Sequence, residues 1–390
     1  MKFDIAVIGG GPAGLCFADA LVKTAQRVLV IETQEHDAIA NPAFDGREIA
    51  LTHRSKAIME TLGLWQLIAP EAISPLRDAK VLNGAALHGM TIERGRGKKA
   101  ELGYLVSNHH IRKAAFDVAT TLPNVTLRAG VKVTELNTSA AGGNVTLSDG
   151  SSIACSLIVA ADSRYSMARR AMGIAAKMHD YGKQMMVCVM EHDEPHNHVA
   201  WEWFDYGQTL ALLPMNGGRS SIVITLPEND IQRLLALDPA LFNSELAQRF
   251  GHRLGNMRLV STRHAYPLVA VYANRFVAQR FALIGDAAVG MHPDTAHGFN
   301  SGLRSADALA QGIIAQVNRN ADIANVGMLA TYERDHARAT LPLFVATHAL
   351  AKLYTDDSRP ARRIRDFCLA VGQRLPPFKR LVAASLTGAR

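Results

Sequence analysis

This 390-residue sequence has four cysteines, Cys16, Cys155, Cys188 and Cys368, and none of them form a C-x-x-C pair. Such spacing offers neither a disulfide framework nor a zinc site, and a reducing cytoplasm is the simplest setting for it. The histidines include no H-E-x-x-H. His109 with His110, and His192, His196 and His198, come nearest to a metal-ligand pattern. They read more simply as loop residues, so no metal is expected. No apolar run reaches the ~18 residues that a spanning helix needs. The apolar start, "FDIAVIGGGPAGL", carries an acid at Asp4 and is broken by glycines, unlike the continuous core of a secretory signal. Internal repeats and low-complexity linkers are also missing. An overall cationic surface is missing too. The net charge is +7, but Lys352 to Arg390 holds nine Lys/Arg against three Asp and accounts for nearly all of it. A nucleic-acid partner is therefore not expected. The basic tail reads either as a solvated helical face or as a contact for anionic lipid or an acidic partner. The composition itself, 48% hydrophobic and 20% charged, is that of a soluble globular chain, and its length suggests two or three lobes.

The first informative stretch is "FDIAVIGGGPAGLCFADALVKTAQRVLVIET". A short apolar strand leads into Gly9, Gly11 and Gly14, spaced as G-x-G-x-x-G. Pro12 suits the first turn of a helix, where its missing N–H is no loss, and Ala13 follows it in the same turn. Leu15, Ala18, Val22 and Ala25 recur at helical spacing, and a second strand ends at Glu32. This is a nucleotide-binding βαβ pattern. Gly9 makes the turn, Gly11 admits a pyrophosphate to the backbone, and Gly14 lets helix and strands pack closely. The helix N-terminus would face the phosphates, and Glu32 could accept ribose hydroxyls. The Glu32 charge would repel a 2′-phosphate.

Two more apolar strands end in an acid. "SLIVAADSRYSMARRAMG" delivers Asp162, and "FALIGDAAVGMHPDTAHGFNSGL" delivers Gly285 and Asp286. A nicotinamide dehydrogenase has no use for a third strand-end motif. FAD, being long and extended, does.

With these motifs the chain resembles the class A flavoprotein aromatic monooxygenases of the para-hydroxybenzoate hydroxylase fold. Within them it resembles the ubiquinone-biosynthesis hydroxylases, the UbiH, UbiF and UbiM group. The likeness is carried by "VIGGGPAGL", "FDGREIALTHRSKAIMETLGLW", "LIVAADSRYSMAR", "YPL", "FALIGDAAVGMHP" and "LPPFKRLVAASLTG". It implies an α/β fold: a Rossmann-like FAD-binding domain, a mixed β-sheet substrate domain and a helical C-terminal tail. It implies non-covalent FAD, NAD(P)H as electron donor, and a polyprenylphenol hydroxylated through a flavin C4a-hydroperoxide formed with molecular oxygen. Residue by residue, Asp286 matches the acid that holds the ribityl chain, and Arg47 an arginine beside pyrophosphate and flavin. Arg112 matches a Gln or Arg that touches FAD. Asp162 matches the acid of a D-G motif serving FAD and the visiting nicotinamide. Pro293 matches the proline at the flavin edge where oxygen reacts. Gly298, Phe299 and Asn300 match the start of a helix aimed at the flavin ring. The small residues after Asp286 would let the isoalloxazine lie against the backbone.

The chain departs from the family pattern in four places. Ser163 stands where the D-G motif has glycine, Val289 where "GDAAH" has histidine, and Ala296 and His297 replace the usual "GQ" of "GQG". The last form is similar to the UbiM branch and suggests hydroxylation at more than one ring position. The expected FAD-binding domain comprises 1–75, 100–175 and 265–340. Residues 76–99 and 176–264 form the substrate sheet, and 341–390 a helical basic segment. "WEWFDY" lacks the Ile-Pro of the halogenase motif W-x-W-x-I-P and reads as one face of a strand. No catalytic base stands out, because His292 before a proline reads as structural. Two other readings remain: a monooxygenase of a small soluble aromatic acid, and a flavin-bound assembly subunit without turnover. The expected location is cytoplasmic, at the inner face of the membrane if the tail binds lipid. Other ubiquinone-biosynthesis proteins are candidate partners.

Overall fold

The computed structural model describes residues 2–84, 89–93, 101–205, 207–292 and 297–355. Four short strands without a charged residue make its centre: β1 (Ile5–Ile8), β2 (Val28–Ile31), β4 (Leu157–Ala160) and β5 (Phe281–Leu283). Every residue in them is buried, as expected for inner strands of a parallel sheet covered on both faces. The less apolar β3 (Val125–Arg128) lies at one edge. The order is Val277–Ala278, β5, β4, β1, β2, β3, and all pairs are parallel except the two-residue edge strand.

Helix α1 (Pro12–Ala20) follows β1 and packs against α3 (Asn108–Thr121) and α4 (His297–Val317). It ends earlier than the spacing of Val22 and Ala25 suggests. Leu21 and Val22 bond back to Ala18 and Asp19, and the Thr24 hydroxyl takes the Leu21 carbonyl at 2.7 Å. Those tightened bonds close the helix and leave Val22 41% exposed.

Asp19, on α1, is buried, and neither of its carboxylate oxygens has a hydrogen-bond partner. Burial pushes this carboxyl up to about 8. Between its unfolded value of about 4 and that figure, the folded chain keeps a proton that the unfolded chain releases, so stability falls as pH rises. Asp19→Ala is therefore expected to raise the unfolding free energy at pH 8 by on the order of 1–3 kcal/mol. The gain should shrink toward pH 5. A gain that is the same at both pH values, measured by denaturant unfolding, would contradict this account of Asp19.

A second sheet is built around the 17-residue strand Ala176–His192. It runs antiparallel to both Arg219–Pro227 and His264–Ala273. Asp78–Asn83 joins the same sheet, parallel to Val199–Asp205. Met186, Cys188 and Met190 alternate onto one face and pack with Ile222, Ile224, Leu234 and Phe242 as a separate core. Trp203 belongs to that core, and its indole N–H donates to the Gly84 carbonyl at 2.8 Å. His192 bonds to the Glu194 carbonyl and the Ser220 hydroxyl, and His196 to the Met215 carbonyl, each at 2.8 Å.

The last described helix, α5 (Val326–Thr355), is continuous across the boundary expected at 341. Leu329, Tyr332, Leu343 and Phe344 keep one face of it on the main core, so the helix continues through Pro342. Residues 356–390, which carry most of the basic charge, lie outside the described residues.

Candidate active site

The sheet register brings the strand-end motifs together. Ile8 pairs with both Ile31 and Ala160, and Ala160 pairs with Leu283. Gly9, Glu32, Asp162 and the Gly285–Asp286 turn therefore all leave the same edge, the carboxyl ends of parallel strands, where open α/β sheets bind ligands.

At the first turn Gly9 has φ +111°, and a Cβ there would lie 2.5 Å from the Ala161 carbonyl oxygen. A Cβ on Gly14 would come within 2.0 Å of the Gly9 carbonyl oxygen, so α1 sits directly on the turn. Gly11 is different, because nothing lies within 4 Å of where its Cβ would project. That open position above the α1 N-terminus is the approach a pyrophosphate requires. Glu32 accepts from the Gly10 N–H at 2.7 Å and from the Gln34 N–H at 2.9 Å. Arg112 reaches the same loop from α3, donating to the Gln34 side chain at 3.0 Å.

At the third strand end, Asp286 pairs with Arg164 at 3.0 Å. The Asp286 charge also acts on Arg47, whose guanidinium donates to Asp45 at 3.1 Å and lies 5.4 Å from the centre of the Tyr266 ring. Burial pulls the Asp45 carboxyl up, but Arg47 and the Asn108 amide outweigh it and hold it below its usual range. Beside this loop burial pushes Glu48 up to about 7, although the Ser107 hydroxyl donates to it. Arg164, Asp45 and Glu48 were not singled out from the sequence. Only their partners across the fold give them meaning.

Asp162 is engaged locally. One oxygen accepts from the Ser166 hydroxyl at 2.6 Å and the other from the Ala168 N–H at 3.1 Å, at the start of the short helix Met167–Ala171. Arg169, 2% exposed, ties that helix to the Ala287 carbonyl at 2.8 Å. Ser163 has φ +100°, a region glycine enters freely and serine at a cost of roughly 1–3 kcal/mol. The backbone thus takes at Ser163 a conformation that glycine would enter more readily.

The small residues near Asp286 have a packing role. Gly285 (φ +60°) would place a Cβ 3.0 Å from Ala13, and Gly302 on α4 would place one 3.3 Å from the Gly285 Cα. Ala287 and Ala288 are fully buried in the core. Their size lets α1, the turn and α4 meet. Gly298 and Phe299 lie in the first turn of α4, and no atom comes within 4 Å of a Cβ placed on Gly298. Asn300 fastens that turn, accepting from the Thr52 N–H at 3.0 Å and donating to the Ala50 carbonyl at 2.8 Å. Pro293 and Ala296 lie outside the described residues.

One cluster went unrecognised in the sequence. Tyr181, on the long strand, shares a 2.8 Å hydrogen bond with Nδ1 of His348 on α5. Its ring meets His292 edge-on at 4.7 Å, and His179 lies 4.7 Å from His348. His292 is buried, next in the chain to Pro293. Burial, followed by His179, Lys352 and His292, holds His348 below the usual imidazole range.

A dinucleotide turn alone would serve a nicotinamide enzyme. Three strand ends on one sheet edge, with Arg47 and the first turn of α4 near the third, fit the extended length of FAD. The fold is that of an FAD-binding oxidoreductase. The family described as "FAD binding domain" matches residues 2–342. Ubiquinone hydroxylase UbiM of Neisseria meningitidis is 45% identical over 389 residues, covering 99% of this chain and 84% of that protein. Ubiquinone hydroxylase UbiL of Rhodospirillum rubrum is 35% identical, covering 97% and 88%. The chain belongs to the FAD-binding-domain family of flavoproteins, in its ubiquinone-hydroxylase group. Among solved structures, p-nitrophenol 4-monooxygenase PnpA of Pseudomonas putida superposes with a TM-score of 0.80 at 20% identity. That match covers 100% of this chain and 99% of that one, and it shows the shared fold.

Proposed function

We propose that this protein hydroxylates the aromatic ring of a polyprenylated phenol on the route to ubiquinone, using FAD, NAD(P)H and molecular oxygen. The observation that carries the substrate class is the 45% identity to a ubiquinone hydroxylase along nearly the whole chain. The geometry supports the chemistry. Bound FAD would supply the redox chemistry, taking electrons from reduced nicotinamide and delivering an oxygen atom derived from O2. The Gly9–Gly14 turn would hold its pyrophosphate, Glu32 a ribose, Asp286 the ribityl chain, and Arg47 and Arg112 would border it. The N-terminus of α4 would favour negative charge on the reduced ring.

The chain's own contribution to ring attack is control of a proton. A phenol becomes a better nucleophile as its O–H proton leaves. Tyr181 could take that proton on its oxygen while passing its own to Nδ1 of His348 at 2.8 Å, leaving the electron pair on the substrate oxygen. His348 is half-buried, so its partly open ring could pass the proton on to solvent. Buried His292 and the second sheet would keep bulk water from the ring.

No helix among the described residues is long and apolar enough to cross a membrane. Leu341, Val345 and Leu350 are exposed on the last half of α5, just before the basic tail. Apolar side chains followed by positive charge support a peripheral contact with anionic lipid, where a polyprenyl substrate resides.

The test is NAD(P)H oxidation by the FAD-loaded protein with a prenylated phenol in lipid vesicles. Stimulated oxidation yielding hydroxylated product is expected. Stronger stimulation by a small soluble aromatic acid would favour that substrate class. Absence of product with both would leave a non-catalytic subunit.

A further inference from the structure

A crevice of about 560 Å3 runs between α4 and α5, with Arg54 of α2 (His53–Thr61) at one end. On α4 it is lined by positions 301, 304, 308, 312 and 315, a stripe at three- and four-residue spacing that Arg319 extends just past the helix end. The face carrying Leu303, Ala306, Leu309 and Ile313 is buried in the main core, so this stripe is a second face of the helix. At Gly312 the helices nearly touch, since a Cβ there would lie 2.9 Å from the Met328 sulfur.

Among the described lining residues of the crevice the charges are unbalanced. Arg54, Arg304 and Arg319 line it, and Asp335 is the one carboxylate among the described lining residues. Asp335 already faces Arg334 at 3.1 Å and Arg338 at 3.9 Å. The half-buried Arg304 forms no hydrogen bond or ion pair among the described residues, and burial and then the Arg54 charge both oppose its protonation. His336 also lines the crevice. It is only 8% exposed, its ring stacks on Tyr332, and its Nε2 has no partner. Burial and Arg304 push it down to about 4, so it is a neutral imidazole that can still donate one N–H. The Arg304 guanidinium and the unpaired His336 ring nitrogen, partly out of water, cost free energy until an anion meets them.

We propose that this crevice binds a phosphoryl anion, the Arg54–Arg304 end and His336 holding its oxygens. Arg319 lies at the other end of the stripe, so a ligand longer than one phosphate, such as a diphosphate or a phospholipid headgroup, would span both charges. The two sources are told apart by experiment on the FAD-loaded full chain. Thermal unfolding is followed with inorganic pyrophosphate against sodium chloride at matched ionic strength, and flotation with phosphatidylglycerol against phosphatidylcholine vesicles. Arg304→Gln is compared with wild type, and flavin content checks its fold. A pyrophosphate-dependent rise in midpoint, with affinity about tenfold weaker in the variant, identifies a soluble phosphoryl ligand. Loss of vesicle binding in the variant, with no pyrophosphate effect on wild type, identifies a headgroup. Responses equal in wild type and variant overturn the proposal. Should Arg304→Gln lose flavin, Arg319→Gln at the exposed end takes its place under the same criteria.

Discussion

Replacing Gly14 with alanine is expected to strip the protein of flavin and to destabilise it. The new methyl would lie 2.0 Å from the Gly9 carbonyl oxygen, which is backbone and cannot swing away. Either α1 retreats from the turn or the turn opens, and both disturb the phosphate-facing N–H groups. The expected losses are on the order of 2–4 kcal/mol of stability and at least a hundredfold in FAD affinity. Gly11→Ala separates the two effects, because its methyl enters space with no atom within 4 Å. That variant should unfold like wild type yet bind FAD weakly, as its methyl occupies the pyrophosphate position. Equilibrium titration with FAD, beside unfolding of the apo-proteins, measures both. Normal FAD affinity in Gly11→Ala would mean that the pyrophosphate passes elsewhere.

Tyr181→Phe should lower kcat by about a hundredfold, in the range for loss of a positioned acid–base group. KM and FAD content should change little, since the ring and its contact with His292 remain. The pH profile is the sharper readout. The groups around Tyr181 and His348 are His179 on the long strand, His292 before α4 and Lys352 on α5. In this relay neutral His348 would accept the proton, and its proton affinity is held below the usual imidazole range, so it stays neutral to lower pH. Turnover in wild type should therefore fall only on the acid side, as His348 becomes charged. In His348→Gln that acid limb should vanish and the remaining rate should stay low. Wild-type kcat and an unchanged profile in both variants would reduce the cluster to packing.

The parts of the site that were legible in the sequence are local. Gly9 to Gly14 and Glu32 belong to one strand–helix–strand unit, whose spacing is set by backbone geometry within a few dozen residues. The four all-apolar strands announced a buried parallel sheet, and Gly285–Asp286 announced a third strand end. What stayed hidden depends on distant parts of the chain meeting. Arg164 and Asp286 are 122 positions apart, and Tyr181 and His348 are 167 apart. No periodicity links such pairs. Ser163 looked like damage to a motif, and its positive φ shows that the turn tolerates it at a cost. The end of α1 was misplaced because Thr24 caps a carbonyl, a side-chain bond that apolar spacing does not register.

The central claim, ring hydroxylation on the way to ubiquinone, is tested most directly in bacterial strains that each lack one of three ubiquinone ring hydroxylases. The chain is expressed in each, its flavin content is confirmed, and the quinones are extracted and identified. The account predicts that ubiquinone returns. The "TAHG" turn, similar to the UbiM branch, predicts its return in more than one strain. Rescue of a single strain would narrow the regioselectivity and leave the hydroxylase standing. Flavin-loaded protein present in all three strains, with the blocked intermediates still accumulating and no ubiquinone formed, would contradict the account.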